Sequence, residues 1–175
     1  MRREPFEPLD TDAALGVLAQ TKPRSQRVGL YIHVPFCTKR CFYCSFNTAP
    51  LEEASEMRRY VRALRTEIEV LATAPWASAL SLETVFFGGG TPSLLTAEDM
   101  MGILDTLRVH FSVERDAEIT VECNPESVSR GKLSAYREAG VNRISLGVQS
   151  LDDSILPVLG RLHDAGGARR AFEEV

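Results

Sequence analysis

Several features that would restrict the location or partners of a protein are missing from this sequence of 175 residues. No apolar run approaches the ~20 residues that a membrane-spanning helix needs. The first 28 residues contain Pro, Asp and Glu but no apolar segment of the kind found in signal peptides. The formal net charge is only −4, so nothing attracts the chain as a whole to nucleic acid or anionic lipid. These absences predict a cytoplasmic protein with no transmembrane segment and no nucleic-acid partner.

Cysteine is also scarce, with four residues in the whole chain. In the absence of an export signal, so few cysteines indicate a reducing compartment and a metal or redox role, not a disulfide framework. The rest of the composition, 44% hydrophobic and 25% charged, is typical of a soluble globular protein. The length is sufficient for one domain with its own core.

Three of the four cysteines lie together in the segment Leu30–Asn47, which reads LYIHVPFCTKRCFYCSFN. Cys37, Cys41 and Cys44 have the spacing C-x3-C-x2-C after an apolar run, which predicts a metal site in a loop. A closed zinc site needs four ligands, and His33 on the preceding strand is a candidate for the fourth. An iron–sulfur cubane held by three thiolates would instead leave one iron open to a ligand. A zinc knuckle, a disulfide pair and buried packing cysteines are the alternatives to that cluster.

The cysteine spacing, with Tyr43 just before the last cysteine, resembles the signature of the radical S-adenosylmethionine (SAM) superfamily. The resemblance implies that Cys37, Cys41 and Cys44 hold a [4Fe–4S] cluster whose open iron chelates the amino and carboxylate groups of SAM. It also implies that an electron from the reduced cluster cleaves SAM to methionine and a 5′-deoxyadenosyl radical. The protein would therefore need a reductant as a partner.

Strands and helices alternate along the chain after a lead-in, residues 1–27, in which we predict one short helix at 11–20. The predicted strands are 28–34, 82–87, 117–123 and 143–149. The predicted helices are 52–73, 96–107 and 129–140, followed by a short turn broken near Pro157 and Gly160 and a last helix from Asp164. This βα order, repeated about four times, predicts an α/β fold with a parallel sheet and right-handed crossovers.

Four βα units are half of an eight-unit barrel, and an isolated half-barrel exposes an unpaired strand at its edge. We therefore predict that residues 28–175 are the N-terminal half of a radical-SAM partial barrel, a core whose remaining units and C-terminal domain are absent from this chain. The alternative is a complete, small, flavodoxin-like α/β domain. In both folds the functional residues lie at the carboxyl ends of the strands.

Alternate side chains of a strand point to opposite faces, and each predicted strand has one apolar face and one polar or small-residue face. The polar faces are expected to line a lumen that surrounds a polar ligand, through Tyr31, Glu122, Ser145 and Gln149. This prediction takes the fourth strand to continue as far as Gln149. Cys123 lies on an apolar face and is predicted to be a buried core residue.

Further motifs resemble those of one family within the superfamily. Gly88-Gly89-Gly90-Thr91-Pro92 resembles the superfamily's glycine-rich motif, whose backbone meets the SAM amino group, because only glycine lets backbone approach a ligand so closely. A simple tight turn is the alternative. The segments VECNP, SLGVQS and LGRLH resemble motifs of the oxygen-independent coproporphyrinogen III oxidase-like family. The resemblance implies a set of SAM-binding residues: Tyr31, Tyr43, Gly89, Gly90, Thr91, Glu122, Gln149 and Arg161.

The alternatives to a role in SAM binding are a buried ion pair with an arginine for Glu122 and a cation on a helix surface for Arg161. No catalytic residue is assigned.

Position 46 separates two branches of that family. The oxidases carry a further cysteine two residues after the third, and this chain has Phe46 there. The lead-in is also shorter than the N-terminal segment of the oxidases. Both differences favour the haem-chaperone branch, which binds haem and passes it to acceptor proteins such as respiratory enzymes. Its proposed haem-binding histidine motif would lie beyond Val175.

The alternative is an oxygen-independent coproporphyrinogen III oxidase, which decarboxylates two propionate groups of its substrate to form protoporphyrinogen IX. Whether the SAM site performs radical chemistry or is only retained is left open by the residues.

Overall fold

The structure is a computed structural model that describes residues 23–175, together with the isolated positions 13, 16, 17 and 20. The short helix predicted at 11–20 falls largely outside the described residues. The strands are β1 (Arg27–Val34), β2 (Phe36–Cys37), β3 (Ala49–Pro50), β4 (Ser81–Gly89), β5 (Ser112–Cys123) and β6 (Arg143–Leu146). The helices are α1 (Ala54–Ala72), α2 (Ala97–His110), α3 (Arg130–Ala139), α4 (Leu156–Leu159) and α5 (Ala165–Glu174).

The main sheet contains four parallel strands in the order β1–β4–β5–β6, which is also their order in the sequence. Every crossover therefore moves in the same direction, and right-handed crossovers of this kind place their helices on one face of the sheet. Helix α1 packs against α2, and α2 packs against α3. A flavodoxin-like sheet would have its first strand inside, whereas β1 is at the edge. The predicted partial barrel is confirmed, and the flavodoxin-like alternative is wrong.

The ends of the crossover helices follow from capping residues in the sequence. Thr96 and Asp99 form a capping box at the start of α2: Asp99 N–H donates to Thr96 Oγ1 at 3.0 Å, and Thr96 N–H donates to Asp99 Oδ2 at 3.1 Å. Gly140 ends α3 with φ of 110°, a conformation that glycine adopts without strain. One prediction is wrong, because Pro157 lies in the first turn of α4, where its missing N–H is tolerated, and does not break the helix.

The core lies between the sheet and the three crossover helices. Its fully enclosed side chains include Val85 and Phe87 of β4, Val121 of β5 and Leu104 of α2. Tyr136 of α3 is also enclosed and donates its hydroxyl to the Leu95 carbonyl at 2.6 Å, so that its polar atom is satisfied. The opposite face of the sheet is more open: Tyr31 is 56% exposed, whereas the next residue, Ile32, is 3% exposed.

Cys123 is buried at the end of β5, as predicted, with its thiol donating to the Val121 carbonyl at 3.7 Å. Burial raises the pKa of this thiol to about 11. At pH 8 almost none of it is thiolate, the reactive form, whereas an ordinary thiol with a pKa of ~8.5 is about one quarter thiolate. We therefore expect iodoacetamide to modify the partly exposed Cys41 and Cys44 of the metal-free protein and to spare Cys123, as measured by mass spectrometry. Modification of Cys123 at an equal rate would contradict its burial.

None of the helices among the described residues has the length and apolar character that crossing a membrane requires.

Candidate functional site

The cysteine loop begins and ends in a small parallel ladder. Strands β2 and β3 pair Phe36 with Ala49 and Cys37 with Pro50. The ladder continues on both sides, because Ala49 N–H donates to the Pro35 carbonyl and Leu51 N–H to the Cys37 carbonyl, each at 2.8 Å. The backbone between these pairs carries Cys41 and Cys44. The two ends of the loop are therefore joined by hydrogen bonds within the protein itself.

The glycine motif is bonded to the base of this loop. Gly90 N–H donates to the Val34 carbonyl, and Thr91 N–H donates to the Phe36 carbonyl, each at 2.7 Å. Strand β4 extends to Gly89, beyond its predicted end at Phe87, so the tight-turn alternative for this motif is wrong. Gly89 has φ of 107°, which favours glycine.

The structure gives Gly90 a second physical role besides the predicted approach to a ligand. A Cβ at this position would collide with the Phe36 carbonyl and lie 3.0 Å from Cys37 Sγ. Cβ atoms in proteins hardly ever lie so close to other atoms, so a side chain at this position would force its neighbours to move. The nearest neighbour is the backbone of Phe36, which cannot move aside as the end of a flexible side chain can. Glycine therefore lets the end of β4 lie directly against the residue that carries the first cysteine.

Gly90→Ala is accordingly expected to destabilise the protein by about 1–3 kcal/mol, the usual range for overpacking. The shift should also lower the iron and sulfide content after reconstitution. Urea unfolding and iron analysis measure the two effects. Gly131→Ala is the control, because its Cβ meets nothing within 4 Å in α3 and should stabilise the helix slightly. Equal behaviour of the two variants would contradict this close approach.

Arg161 links the cysteine loop to the ends of two strands. Its Nη2 donates to Asn124 Oδ1 at 2.7 Å and to the Gly147 carbonyl at 2.8 Å. Its Nη1 lies 3.4 Å from Cys41 Sγ, within the range of a hydrogen bond to sulfur. Its Nε is buried and has no hydrogen-bond partner. Arg161 is thus an interior residue of the site, and the alternative of a helix-surface cation is wrong.

Asn124 is a central residue that the sequence analysis did not assign to the site. It accepts from Arg161 through Oδ1 and donates from Nδ2 to Thr91 Oγ1 at 3.1 Å. One amide therefore fixes the orientation of two predicted SAM-binding residues. The signal was present in the segment VECNP, because Asn124 directly follows the last residue of β5, at the carboxyl end of the sheet.

The three cysteines and most of the predicted SAM-binding residues line one cavity of about 400 Å³. Its predicted lining residues are Cys37, Cys41, Cys44, Tyr43, Gly89, Gly90, Thr91, Glu122, Gln149 and Arg161, joined by Ser145 of the expected lumen. Lys39, Phe46, Cys123 and Asn124 also line it. Burial raises the pKa of Tyr43, and the neighbouring Arg161 guanidinium acts in the opposite direction. Donors of a metal site and polar groups suited to an organic cation are therefore adjacent.

Tyr31 is the predicted SAM-binding residue that the structure does not bring into the cavity. It lies on the open face of the sheet, where its ring stacks on Phe86 with centroids 6.0 Å apart. Its hydroxyl is 3.2 Å from His33 Nδ1. Partial burial, with a smaller contribution from the Glu122 carboxylate, raises the pKa of Tyr31. It is therefore a neighbour of Glu122 outside the lining of the cavity.

The predicted extension of the last strand to Gln149 is wrong, because β6 ends at Leu146. Gln149 is the one described residue other than glycine with a positive φ, at 65°. Residues other than glycine have negative φ in a strand, so strand alternation cannot orient this side chain. Gln149 lines the cavity nevertheless, because the backbone turns there.

The zinc alternative lacks the ligand geometry of a single-ion site. His33 is already engaged, with Nε2 2.9 Å from the Asn47 carbonyl and Nδ1 facing Tyr31. Among the described residues, no three His, Cys, Asp or Glu side chains are grouped closely enough for one metal ion. All four cysteines are free thiols, which disagrees with a disulfide pair. All four cysteines contribute to the lining of one cavity, and the three of the loop, Cys37, Cys41 and Cys44, form a donor set that fits a larger, multi-iron group held by thiolates.

Comparison with known proteins decides the family. The model of the radical SAM superfamily matches residues 31–175. The chain belongs to the radical SAM superfamily. Membership implies a [4Fe–4S] cluster and SAM as cofactors. The resemblance to this superfamily that the cysteine spacing suggested is confirmed.

Related sequences include a mitochondrial radical SAM domain protein and a bacterial haem chaperone. The chain is 41% identical over 155 residues to "Radical S-adenosyl methionine domain-containing protein 1, mitochondrial" of Bos taurus, covering 87% of this chain and 34% of that protein. It is also 41% identical over 144 residues to "Heme chaperone HemW" of Escherichia coli, covering 82% of this chain and 38% of that one. The chain thus spans little more than a third of the length of these relatives.

A solved structure supports the same fold. The chain resembles the coproporphyrinogen III oxidase HemN of Escherichia coli, described as a radical SAM enzyme, with a TM-score of 0.81 and 28% identity. The match covers 95% of this chain and 37% of HemN. The parallel sheet and its crossover helices are therefore those of a radical SAM protein.

Proposed function

We propose that this protein is a haem chaperone of the radical SAM superfamily, which binds haem and delivers it to acceptor proteins. Cys37, Cys41 and Cys44 would hold the [4Fe–4S] cluster, and SAM would occupy the adjacent cavity. The observation that supports this site is that three free thiols of the loop and polar residues at the ends of two strands line the same cavity. The cluster, when bound, would supply an electron to SAM, which requires a reductant partner.

The residues around the cavity offer groups that match each part of SAM. Gly90 and Thr91 already use their N–H groups on β1 and β2, which leaves carbonyl oxygens of the glycine motif as acceptors for the protonated amino group. The Glu122 carboxylate and the Gln149 amide can bond the two ribose hydroxyls. Arg161 lines the cavity, and its planar guanidinium can bond the SAM carboxylate.

The choice of the chaperone over the oxidase rests on Phe46. Its side chain is 59% exposed and lines the same cavity as the three thiols. The family resemblance places an additional cysteine of the oxidases at this position. Phe46 supplies an apolar ring where the oxidases have a thiol, so this chain lacks that further nucleophile and metal ligand. An apolar ring at an open rim is instead suited to contact with a flat, apolar porphyrin.

The oxidase stays the second candidate because of the close structural similarity to HemN. Under that proposal the same cavity would serve the oxidative decarboxylation of coproporphyrinogen III. We propose a cytoplasmic location for either function.

The cofactor site is tested by electron paramagnetic resonance of the anaerobically reconstituted, reduced protein with and without SAM. The expected result is a [4Fe–4S] signal that changes when SAM is added, because SAM would ligate the open iron. A cluster signal that does not change when SAM is added would contradict the SAM site but not the cysteine ligands. Zinc without iron or sulfide would contradict both.

The two functions are separated by their ligands. Haemin added to the reconstituted protein should give a Soret band at a defined stoichiometry if the protein is a chaperone. Coproporphyrinogen III, supplied with SAM and reductant, should then remain unconverted. Formation of protoporphyrinogen IX would overturn the chaperone proposal in favour of the oxidase.

A further inference from the structure

Gln149 occupies a strained turn at the rim of the cavity. Ser150 N–H donates to the Val148 carbonyl at 2.8 Å, which closes a three-residue γ-turn around Gln149 at φ of 65°. The γ-turn with positive φ at its centre is rare, and a residue with a large side chain is strained there. Such conformations persist only where the surrounding structure holds them. Some other group must therefore stabilise this turn.

His163 supplies that contact from the next segment of the chain. Its Nε2 lies 3.0 Å from the Val148 carbonyl, the same oxygen that accepts the hydrogen bond of the turn. A carbonyl oxygen can only accept, so Nε2 carries the proton and donates. The His163 side chain is 2% exposed, so water cannot replace this donor. The turn around Gln149 is thus closed by one backbone and one imidazole donor.

The other side of the imidazole faces a carboxylate. Its Nδ1 is buried, forms no hydrogen bond of regular geometry, and lies 3.4 Å from Glu126 Oε2. Glu126 belongs to the turn that follows Asn124, so it is attached to the floor of the cavity. The backbone after His163 is bonded as well, because Ala165 N–H donates to Asp153 Oδ1 at 2.7 Å. His163 is therefore fixed between the segment after β5 and the segment after β6.

We propose that His163 is a positioning residue for Gln149. By donating to the Val148 carbonyl, it holds the strained turn that directs the Gln149 amide to the cavity. The proposal rests on the proposed role of Gln149 in binding the ribose of SAM. It gives a role to a buried histidine of the segment LGRLH that is not among the predicted SAM-binding residues.

Two amides of different length separate this role from simple packing. Glutamine can place its amide N–H near the position of Nε2, whereas asparagine reaches only the position of Nδ1. His163→Gln is expected to keep the donor to Val148 and to bind SAM within about twofold of the unaltered protein. His163→Asn is expected to weaken SAM binding about five- to tenfold, the effect of one lost hydrogen bond. Isothermal titration of the reconstituted protein measures both, with cluster content and melting temperature determined in parallel.

Amide hydrogen exchange at Ser150 tests the turn without any cofactor. Exchange should be faster in the Asn variant than in the Gln variant, because Ser150 N–H closes the turn that His163 holds. Should the Asn variant not fold, Glu126→Ala tests the same connection from the partly exposed side and should also accelerate Ser150 exchange. Equal Ser150 exchange in all these proteins would overturn the proposal, whatever happens to SAM binding.

A double-mutant cycle tests whether His163 acts through Gln149. If it does, His163→Asn should weaken SAM binding no further once Gln149→Ala is present. Additive losses would overturn the positioning role. If Gln149→Ala alone leaves SAM binding unchanged, the proposed ribose contact fails, and the Ser150 exchange then decides whether His163 still holds the turn.

Discussion

Cys41→Ala is expected to reduce the iron and sulfide content of the reconstituted protein to background. Two thiolates are too few to hold a [4Fe–4S] cluster, which is normally bound by cysteine sulfur. Cys41 is partly exposed and faces the cavity, so its loss should leave the fold intact. Iron and sulfide analysis measures the cluster directly, and the reduced protein should show no SAM-dependent paramagnetic signal. The same result is expected for Cys37 and Cys44.

Cys123→Ala is the matched control for the loss of a thiol. Cys123 also contributes to the lining of the cavity, but it is 3% exposed and its thiol donates to the Val121 carbonyl, so it is not expected to contribute to the cluster. Its substitution should cost about 1 kcal/mol of unfolding free energy through the small cavity that it leaves, while iron and sulfide stay at the level of the unaltered protein. Full iron content in the Cys41 variant, or its loss only in the Cys123 variant, would disprove the assignment of the ligands.

Arg161→Ala should produce the second large effect, on both stability and SAM affinity. The Asn124 side-chain oxygen and the Gly147 carbonyl would lose their shared donor, and each buried group left unsatisfied costs about 1–3 kcal/mol. A lost charged hydrogen bond to the SAM carboxylate would weaken binding by about ten- to 100-fold. Urea unfolding and calorimetric titration with SAM measure the two quantities.

Two further arginine variants make this prediction specific. Arg161→Lys keeps the charge but not the planar group that reaches both acceptors, so its defects should be nearly as large. Arg130→Ala removes a side chain that is 74% exposed and lies 3.4 Å from Glu174, and such surface pairs contribute about 1 kcal/mol or less. If Arg161→Ala binds SAM as well as Arg130→Ala does, the guanidinium is not part of the cofactor site.

The crossover helices and the buried strands could be predicted because their signals are local. Thr96, Ser129 and Asp164 accept hydrogen bonds from the third residue of the helices they start, and Gly140 takes the left-handed conformation expected at a helix end. These caps depend on a few neighbouring residues, which a sequence displays directly. The spacing of the three cysteines is local in the same way.

The details that failed depend on contacts between distant segments. Gln149 leaves the strand because a γ-turn is held there by His163, and nothing within SLGVQS indicates this. Tyr31 lies on the face of the sheet that strand alternation predicts. Its position along β1, however, places it near Glu122 and outside the lining of the cavity. Asn124 is joined to the site by side-chain hydrogen bonds with Arg161 and Thr91, which are 37 and 33 residues away in the chain.

The β2–β3 ladder at the base of the cysteine loop has a thermodynamic consequence for assembly. Bringing the ends of a loop together costs entropy that grows with the logarithm of its length. Here folding meets that cost before any metal arrives, since Ala49 and Leu51 bond to Pro35 and Cys37 through backbone atoms alone. A cluster bound in this loop would therefore have to order only the span around Cys41 and Cys44 that lies between these bonds. The same ladder allows position 46 to change its chemistry without changing the fold that presents it.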